Sequence, residues 1–162
     1  MNFESQYERA QAMLNGYTTV GEQLRKVNED IAKNPHSSMI RQLHPWVIDL
    51  VEYSFMGFTW WNLSDDLTYK PFPHDEVLAD NTFTYFWRRM GKSLTSAPNT
   101  GFAKLHNDMH FVHYLETMPK SEAEFVYACY KKSLPEVYPN ITFEYFCRVF
   151  PERGFERIDN EQ

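Results

Sequence analysis

The chain has 162 residues, 43% of them hydrophobic and 17% aromatic, and its 16 basic and 22 acidic side chains give a net charge of −6. This length suits one domain with its own core, and the acidic balance disfavours nucleic-acid binding, which depends on Lys and Arg neutralising phosphates. The two cysteines form no CxxC pair or disulfide framework, and residues 1–6 lack a signal-peptide pattern, so we expect a reduced, cytoplasmic protein.

An N-terminal helical hairpin is predicted over residues 3–33. Apolar residues recur at i, i+4, i+7 and i+11 in two sets, which keeps one face of each helix apolar. The second set consists of Val20, Leu24, Val27 and Ile31. Asn15-Gly16 supplies the turn between the helices, since Gly favours the left-handed C-cap. Both stripes are as narrow as a coiled-coil seam, so each needs a partner: the body of the same domain or a second subunit.

A third helix is predicted from Ser37 to Trp61, with either a kink or a fresh start at Pro45, because proline suits a first helical turn. Apolar residues occur nearly all round it, which is typical of a buried central helix: Trp46, Val47, Leu50, Val51, Phe55, Phe58, Trp60 and Trp61. Asp49 and Glu52 interrupt this stretch, and it is too short to span a bilayer, so we expect no membrane association.

Two helices are predicted between residues 74 and 118. The first begins near His74, ends at Gly91, and turns one apolar face to the core: Ala79, Phe83, Phe86 and Met90. The second stops before Pro119 and has its own apolar face, which we expect to line the core: Phe102, Leu105, Met109 and Val112.

Two more helices complete a predicted core that spans residues 37–150. Ser121 and Glu124 form a capping box that opens the first of them, which ends by Pro135. The last helix carries four apolar residues: Phe143, Phe146, Cys147 and Phe150. Residues 151–162 alternate in charge and are predicted to form a loosely held tail. The fold class is therefore all-α, a compact bundle of about six or seven helices in a single domain over residues 1–162.

Three of the six histidines lie close together in the chain: His106, His110 and His113. At i, i+4 and i+7 they project from one helical face, and ring nitrogens at i and i+4 can reach one metal ion such as zinc. The candidate ligands from other segments are His44, near a helix start, and His74 with Asp75 and Glu76. The zincin pattern needs Glu directly after the first His, whereas Asn107 follows His106, so no general base is built in. The other interpretations are half-buried histidines hydrogen-bonded at a helix–helix seam, surface histidines without a role, or a pH-responsive cluster.

The pair His106/His110, with His44 from an earlier helix, resembles the metal-binding positions of the DinB-like helical-bundle metalloproteins. The aromatic run Phe58-Thr59-Trp60-Trp61 is similar in character. The resemblance implies a divalent metal held by one early His and a late HxxxH pair, and a hydrolase or transferase activity. The sequence departs from the family because two further helices are predicted after the HxxxH pair.

Two functional hypotheses follow. The sequence has no GxGxxG, P-loop or nucleophile elbow, and aromatic residues are common interface anchors. We therefore expect a small acidic regulatory protein, without a cofactor, that binds a larger partner and resembles accessory or phage-encoded proteins. Its partner is another protein or a second copy, as in a homodimer. The expected contact residues are Val20, Leu24, Val27, Ile31, Trp60 and Trp61.

The alternative hypothesis is a metal-dependent helical-bundle enzyme. His106, His110, His113 and His44 would bind a divalent ion such as zinc, which would activate water for hydrolysis or transfer. The sequence leaves the question of enzymatic activity open and favours a non-enzyme, because no coherent catalytic set accompanies the histidines.

Overall fold

The computed structural model describes residues 19–56, 63–72, 82–95 and 101–153. Every regular element within these ranges is helical, which confirms the predicted all-α bundle of six or seven helices. The α-helices are α1 Val20–Lys33, α2 Pro45–Phe55, α3 Phe83–Thr95, α4 Gly101–Thr117, α5 Lys120–Tyr130, α6 Leu134–Val137 and α7 Phe143–Val149. Two 3₁₀ helices span Met39–Gln42 and Pro151–Arg153. Within the same ranges, no helix is long and apolar enough to cross a membrane.

The helix α1 begins at Thr19, whose Oγ1 caps it by accepting a hydrogen bond from the amide of Glu22 at 3.2 Å. Its predicted apolar stripe is buried throughout, and α1 packs chiefly against α5. The body of the chain therefore supplies the partner that the narrow stripe needs. The preceding helix of the predicted hairpin lies outside the described residues.

The segment between α1 and α2 does not form one continuous helix with α2. The 3₁₀ helix Met39–Gln42 ends at Leu43, and α2 starts afresh at Pro45. His44 is the N-cap residue, and its Nδ1 accepts a hydrogen bond from the amide of Trp46 at 3.1 Å. Proline has no amide hydrogen to satisfy, so its place in the first helical turn costs no backbone hydrogen bond.

The central helix of the bundle is α5, which contacts α1, α2, α3, α4 and α6. The sequence indicated α2 instead, and α2 is less enclosed, because Trp46 and Phe55 are only partly buried. The predicted capping box is also wrong. α5 begins at Lys120 with Pro119 as its N-cap, so Ser121 lies inside the first turn, where its Oγ pairs with Thr19 Oγ1 at 2.5 Å.

The C-terminal elements pack against α2 and agree with the predicted last helix. Phe146, Cys147 and Phe150 are buried. Arg153 donates to Asp49 at 3.1 Å and to Glu52 at 2.8 Å, which ties the start of the predicted tail to α2. The short helix α6 and the extension of α3 beyond Gly91 to Thr95 were not expected from the sequence.

Residues 63–72 have no regular structure and lie across α4 and α5; we call them the strap. Four side chains of these helices hydrogen-bond to its backbone: Asp108, Glu116, Tyr127 and Tyr130. Asp108 also accepts from the Ser64 hydroxyl, so its carboxylate binds both the amide at 2.8 Å and the Oγ at 2.5 Å. The strap therefore fixes one flank of α4.

Candidate functional site

The helix α4 turns a different face to the core from the one that the sequence indicated. Phe111 and Leu115 are fully buried, whereas Leu105 is 60% exposed and Met109 is 68% exposed. The prediction that Leu105 and Met109 line the core is therefore wrong. The reason is ring packing, because Phe111 lies 5.9 Å from the ring of Phe86 and 5.2 Å from that of Tyr130.

The solvent-facing side of α4 combines apolar and imidazole side chains; we call it the outer α4 surface. It consists of Leu105, His106, Met109, His110 and His113, all of them exposed. None of these five has a formal charge when the histidines are neutral. Leu105 and Met109 lie one helical turn apart, and they are the two most exposed large apolar side chains among the described residues.

His106 and His110 meet on this surface. Nε2 of His110 lies 3.0 Å from Nδ1 of His106 in a hydrogen bond whose donor depends on the tautomers. The ring centroids are 4.9 Å apart. The i, i+4 spacing thus places two ring nitrogens close together, as the sequence indicated.

The other predicted metal ligands do not join this pair. His113 lies on the same surface with its ring 6.2 Å from that of Tyr114, and His44 caps α2. Within the described ranges, no group of three or more His, Cys, Asp or Glu side chains is arranged to hold a metal ion. Two ligands fall short of the three or four protein ligands of ordinary zinc sites. His74 lies outside the described residues.

The residues predicted to bind a partner do not lie on the outer α4 surface. Val20, Leu24, Val27 and Ile31 are buried in the core of the chain itself, so the structure does not offer them to a partner. Trp60 and Trp61 lie outside the described residues. The exposed apolar side chains that sequence reasoning missed are Leu105 and Met109. The signal that could have revealed them is the competing inner stripe of α4, in which Phe111, Leu115 and Met118 recur at helical spacing.

An aromatic and cationic edge from α3 adjoins α4. The exposed ring of Tyr85 lies 6.1 Å from that of Tyr114. Arg89 donates to the Tyr85 hydroxyl at 3.0 Å, and its guanidinium sits 5.1 Å from the centre of the same ring. Arg88, Arg89 and Lys92 are all exposed on α3, and Arg89 is held against Tyr85.

Two further nucleophiles, Cys129 and Ser37, are buried. Burial raises the pKa of the Cys129 thiol well above its ordinary value, which keeps it protonated and unreactive. An open polar depression of ≈430 Å³ lies just after α1, lined in part by Asp30, His36 and Ser37. The Ser37 hydroxyl donates directly to the Asp30 carboxylate. No imidazole lies between them, so the arrangement is not a catalytic triad.

No protein-family model, curated protein or solved structure matches the chain. The likeness to the DinB-like metalloproteins therefore rests on the sequence alone, on His44, the His106/His110 pair and the aromatic run Phe58-Thr59-Trp60-Trp61.

Proposed function

We propose that this chain is a non-enzymatic, protein-binding regulatory protein, and that the outer α4 surface is its contact surface. The observation that carries the proposal is the exposure of Leu105 and Met109, which are adjacent on one helix. Covering these two side chains on binding would contribute about 1–2 kcal/mol each. Methionine also adapts its shape to different binding partners.

The neighbouring groups suit a protein interface. The three histidine rings lie to one side of the apolar pair, and Tyr85 and Arg89 stand beyond them at the α3 edge. Tyrosine and arginine are enriched among the residues that contribute most to binding energy. Exposed apolar side chains next to polar and aromatic groups are typical of contact surfaces between proteins.

The surface is also held rigidly. On its inner side α4 is fixed by the buried side chains of Phe111 and Leu115, and on its flank Asp108 binds the strap. A rigid surface loses little conformational entropy on binding, which favours affinity.

Site-specific photo-crosslinking in the cells that make the protein tests this proposal. A photoreactive amino acid replaces Met109 in one variant and Glu29, an exposed residue of α1, in a control variant. We expect one discrete crosslinked species from position 109 and none from position 29. Adding Leu105→Asp to the position 109 variant should abolish that species. No crosslink from position 109, or equal crosslinking from both positions, would overturn the proposal.

A second candidate is a metal-dependent hydrolase or transferase, favoured by the 3.0 Å approach of the His106 and His110 nitrogens. It requires a further ligand from outside the described ranges, for which His74 is a candidate, and an open coordination position for water. Metal analysis of the purified protein beside the His110→Ala variant tests it. We expect one metal ion per chain, lost in the variant, if this candidate is right.

A further inference from the structure

We propose that the outer α4 surface binds a divalent transition-metal ion such as Zn²⁺ between two copies of this chain, with His106 and His110 of each copy as ligands. The inference rests on the proposed function, since it identifies the occupant of the contact surface as a second copy. It differs from the enzyme hypothesis, because all four coordination positions would be filled by imidazole and the ion would serve assembly.

The geometry of the pair suits a metal ion. Its two ring nitrogens face each other at 3.0 Å. Two nitrogens bound to one tetrahedral zinc at 2.0–2.1 Å lie about 3.3 Å apart. The two nitrogens therefore need to separate by only a few tenths of an ångström, and each ring must also turn so that its nitrogen lone pair points at the ion instead of at the other ring. Both side chains are exposed, so an ion from solvent reaches them without any rearrangement of the core.

The number of ligands points to a second copy. In the part of the chain that the structure describes, no third His, Cys, Asp or Glu completes the site, whereas a closed zinc site takes four protein ligands. A two-fold symmetric contact repeats the same surface on both sides. It therefore doubles two imidazoles to four around an ion on the symmetry axis.

The rest of the surface is compatible with pairing of identical copies. Leu105 and Met109 lie beside the ligands and lack charge, and the two carboxylates of α4 next to them, Asp108 and Glu116, accept hydrogen bonds from the strap. Repulsion between chains of net charge −6 is screened beyond about 8 Å at physiological ionic strength. Two apolar side chains per copy are a small contact beside the 1,200–2,000 Å² of typical stable interfaces. Pairing should therefore depend on the metal.

Sedimentation equilibrium of the full chain with increasing Zn²⁺ tests the proposal. We expect a monomer without metal and a dimer at half an equivalent of Zn²⁺ per chain, reversed by a chelator. His110→Ala should stay monomeric at the same Zn²⁺ concentration. The control is His36→Ala, which removes an exposed histidine outside α4 and should dimerise like the wild type. Both positions are exposed, so both variants should fold. Co²⁺ in place of Zn²⁺ should give the intense visible absorption of a tetrahedral site.

The other possible results of this experiment would each refute a part of the proposal. A monomer that binds one ion per chain would refute bridging and favour the enzyme candidate. A dimer that forms equally without metal, or in His110→Ala, would refute the role of the ion and leave the contact surface intact. The crosslinking experiment from position 109 decides the proposed function separately, since it detects any partner.

Discussion

Glu122 Oε1 accepts a hydrogen bond from the backbone amide of Phe83 at 2.8 Å, although the two residues are 39 positions apart. The other carboxylate oxygen, Oε2, accepts from the amide of Val20 at 3.1 Å. Phe83 is the first residue of α3 and Val20 the first of α1. One fully buried carboxylate on α5 therefore caps two other helices, and both helix dipoles favour its negative charge.

Glu122→Gln should destabilise the protein by about 2–3 kcal/mol. A glutamine side chain has one acceptor oxygen, so one of the two buried amides loses its partner and an NH₂ group faces it. The measurement is urea unfolding followed by circular dichroism. Glu124→Gln, a partly exposed change on the same helix, is the control and should cost under about 0.5 kcal/mol. Equal stability of the two variants would show that the carboxylate does not cap both helices.

Gly21→Ala should destabilise the protein by about 1–3 kcal/mol, because an added Cβ would lie 2.5 Å from Ser121 Cβ and closer still to Ser121 O. The sign is the informative part, since Gly to Ala inside an exposed helix normally stabilises by about 0.5–1 kcal/mol. Thermal unfolding measures the change. Lys26→Ala, at an exposed site on α1, is the control and should leave stability nearly unchanged. A stabilised Gly21→Ala variant would contradict the close contact of α1 with α5.

The same change, Leu to Ala, at one site on each face of α4 distinguishes the buried face from the exposed face. Leu115→Ala should cost about 3 kcal/mol, because it empties a fully buried position. Leu105→Ala should cost under about 0.5 kcal/mol, because that side chain is mostly in water. Urea unfolding of both variants gives the comparison. A larger loss for Leu105→Ala would mean that α4 is rotated toward the face that the sequence indicated.

Asp108→Ala should release the strap. The Ser64 amide and hydroxyl both lose their acceptor, and a hydrogen bond to a carboxylate contributes about 1.5 kcal/mol or more. We expect hydrogen exchange of the Ser64 amide, measured by NMR, to accelerate by about tenfold or more. Asp65→Ala, an exposed change within the strap, should leave it unchanged. Unchanged protection in Asp108→Ala would show that other contacts suffice to hold the strap.

Stability should fall at alkaline pH through Tyr69 of the strap. Burial, assisted by the nearby Glu124 carboxylate and Tyr127, raises the pKa of Tyr69 to about 12 from 10.0. The unfolded chain therefore loses this proton first, and stability declines as pH rises from about 10 to about 12. Tyr69→Phe should weaken that decline and change stability little at neutral pH. Urea unfolding at several pH values measures it, with tyrosinate absorbance as the check on ionisation. An equally steep decline in Tyr69→Phe would assign the effect to another group.

Elements with a single apolar stripe were predictable. The spacing of Val20, Leu24, Val27 and Ile31 allows only one face of α1 to be buried, and that face is buried. The same holds for Phe83, Phe86 and Met90 on α3. Proline also acts locally, so α2 could be expected to start at Pro45.

The candidate site was predictable only in part. The nitrogens of His106 and His110 meet because helical spacing alone brings i and i+4 together. Which side of α4 faces water was not predictable, because apolar residues occur on both sides. The rings of Phe86 and Tyr130 on neighbouring helices decide it by packing on Phe111.

The amino-acid sequence by itself determined that the chain is helical, that a kink or a fresh start falls at Pro45, and that two imidazoles lie one turn apart, because each depends on groups within about four positions of one another. Tertiary structure alone decided that α5 is the central helix, that Glu122 caps α1 and α3, and that Leu105 and Met109 face solvent. The physical reason is that burial and long-range hydrogen bonds depend on neighbours that are remote in the chain. His106 and His110 therefore lie on an exposed apolar surface only because packing elsewhere in the bundle turns that side of α4 toward solvent.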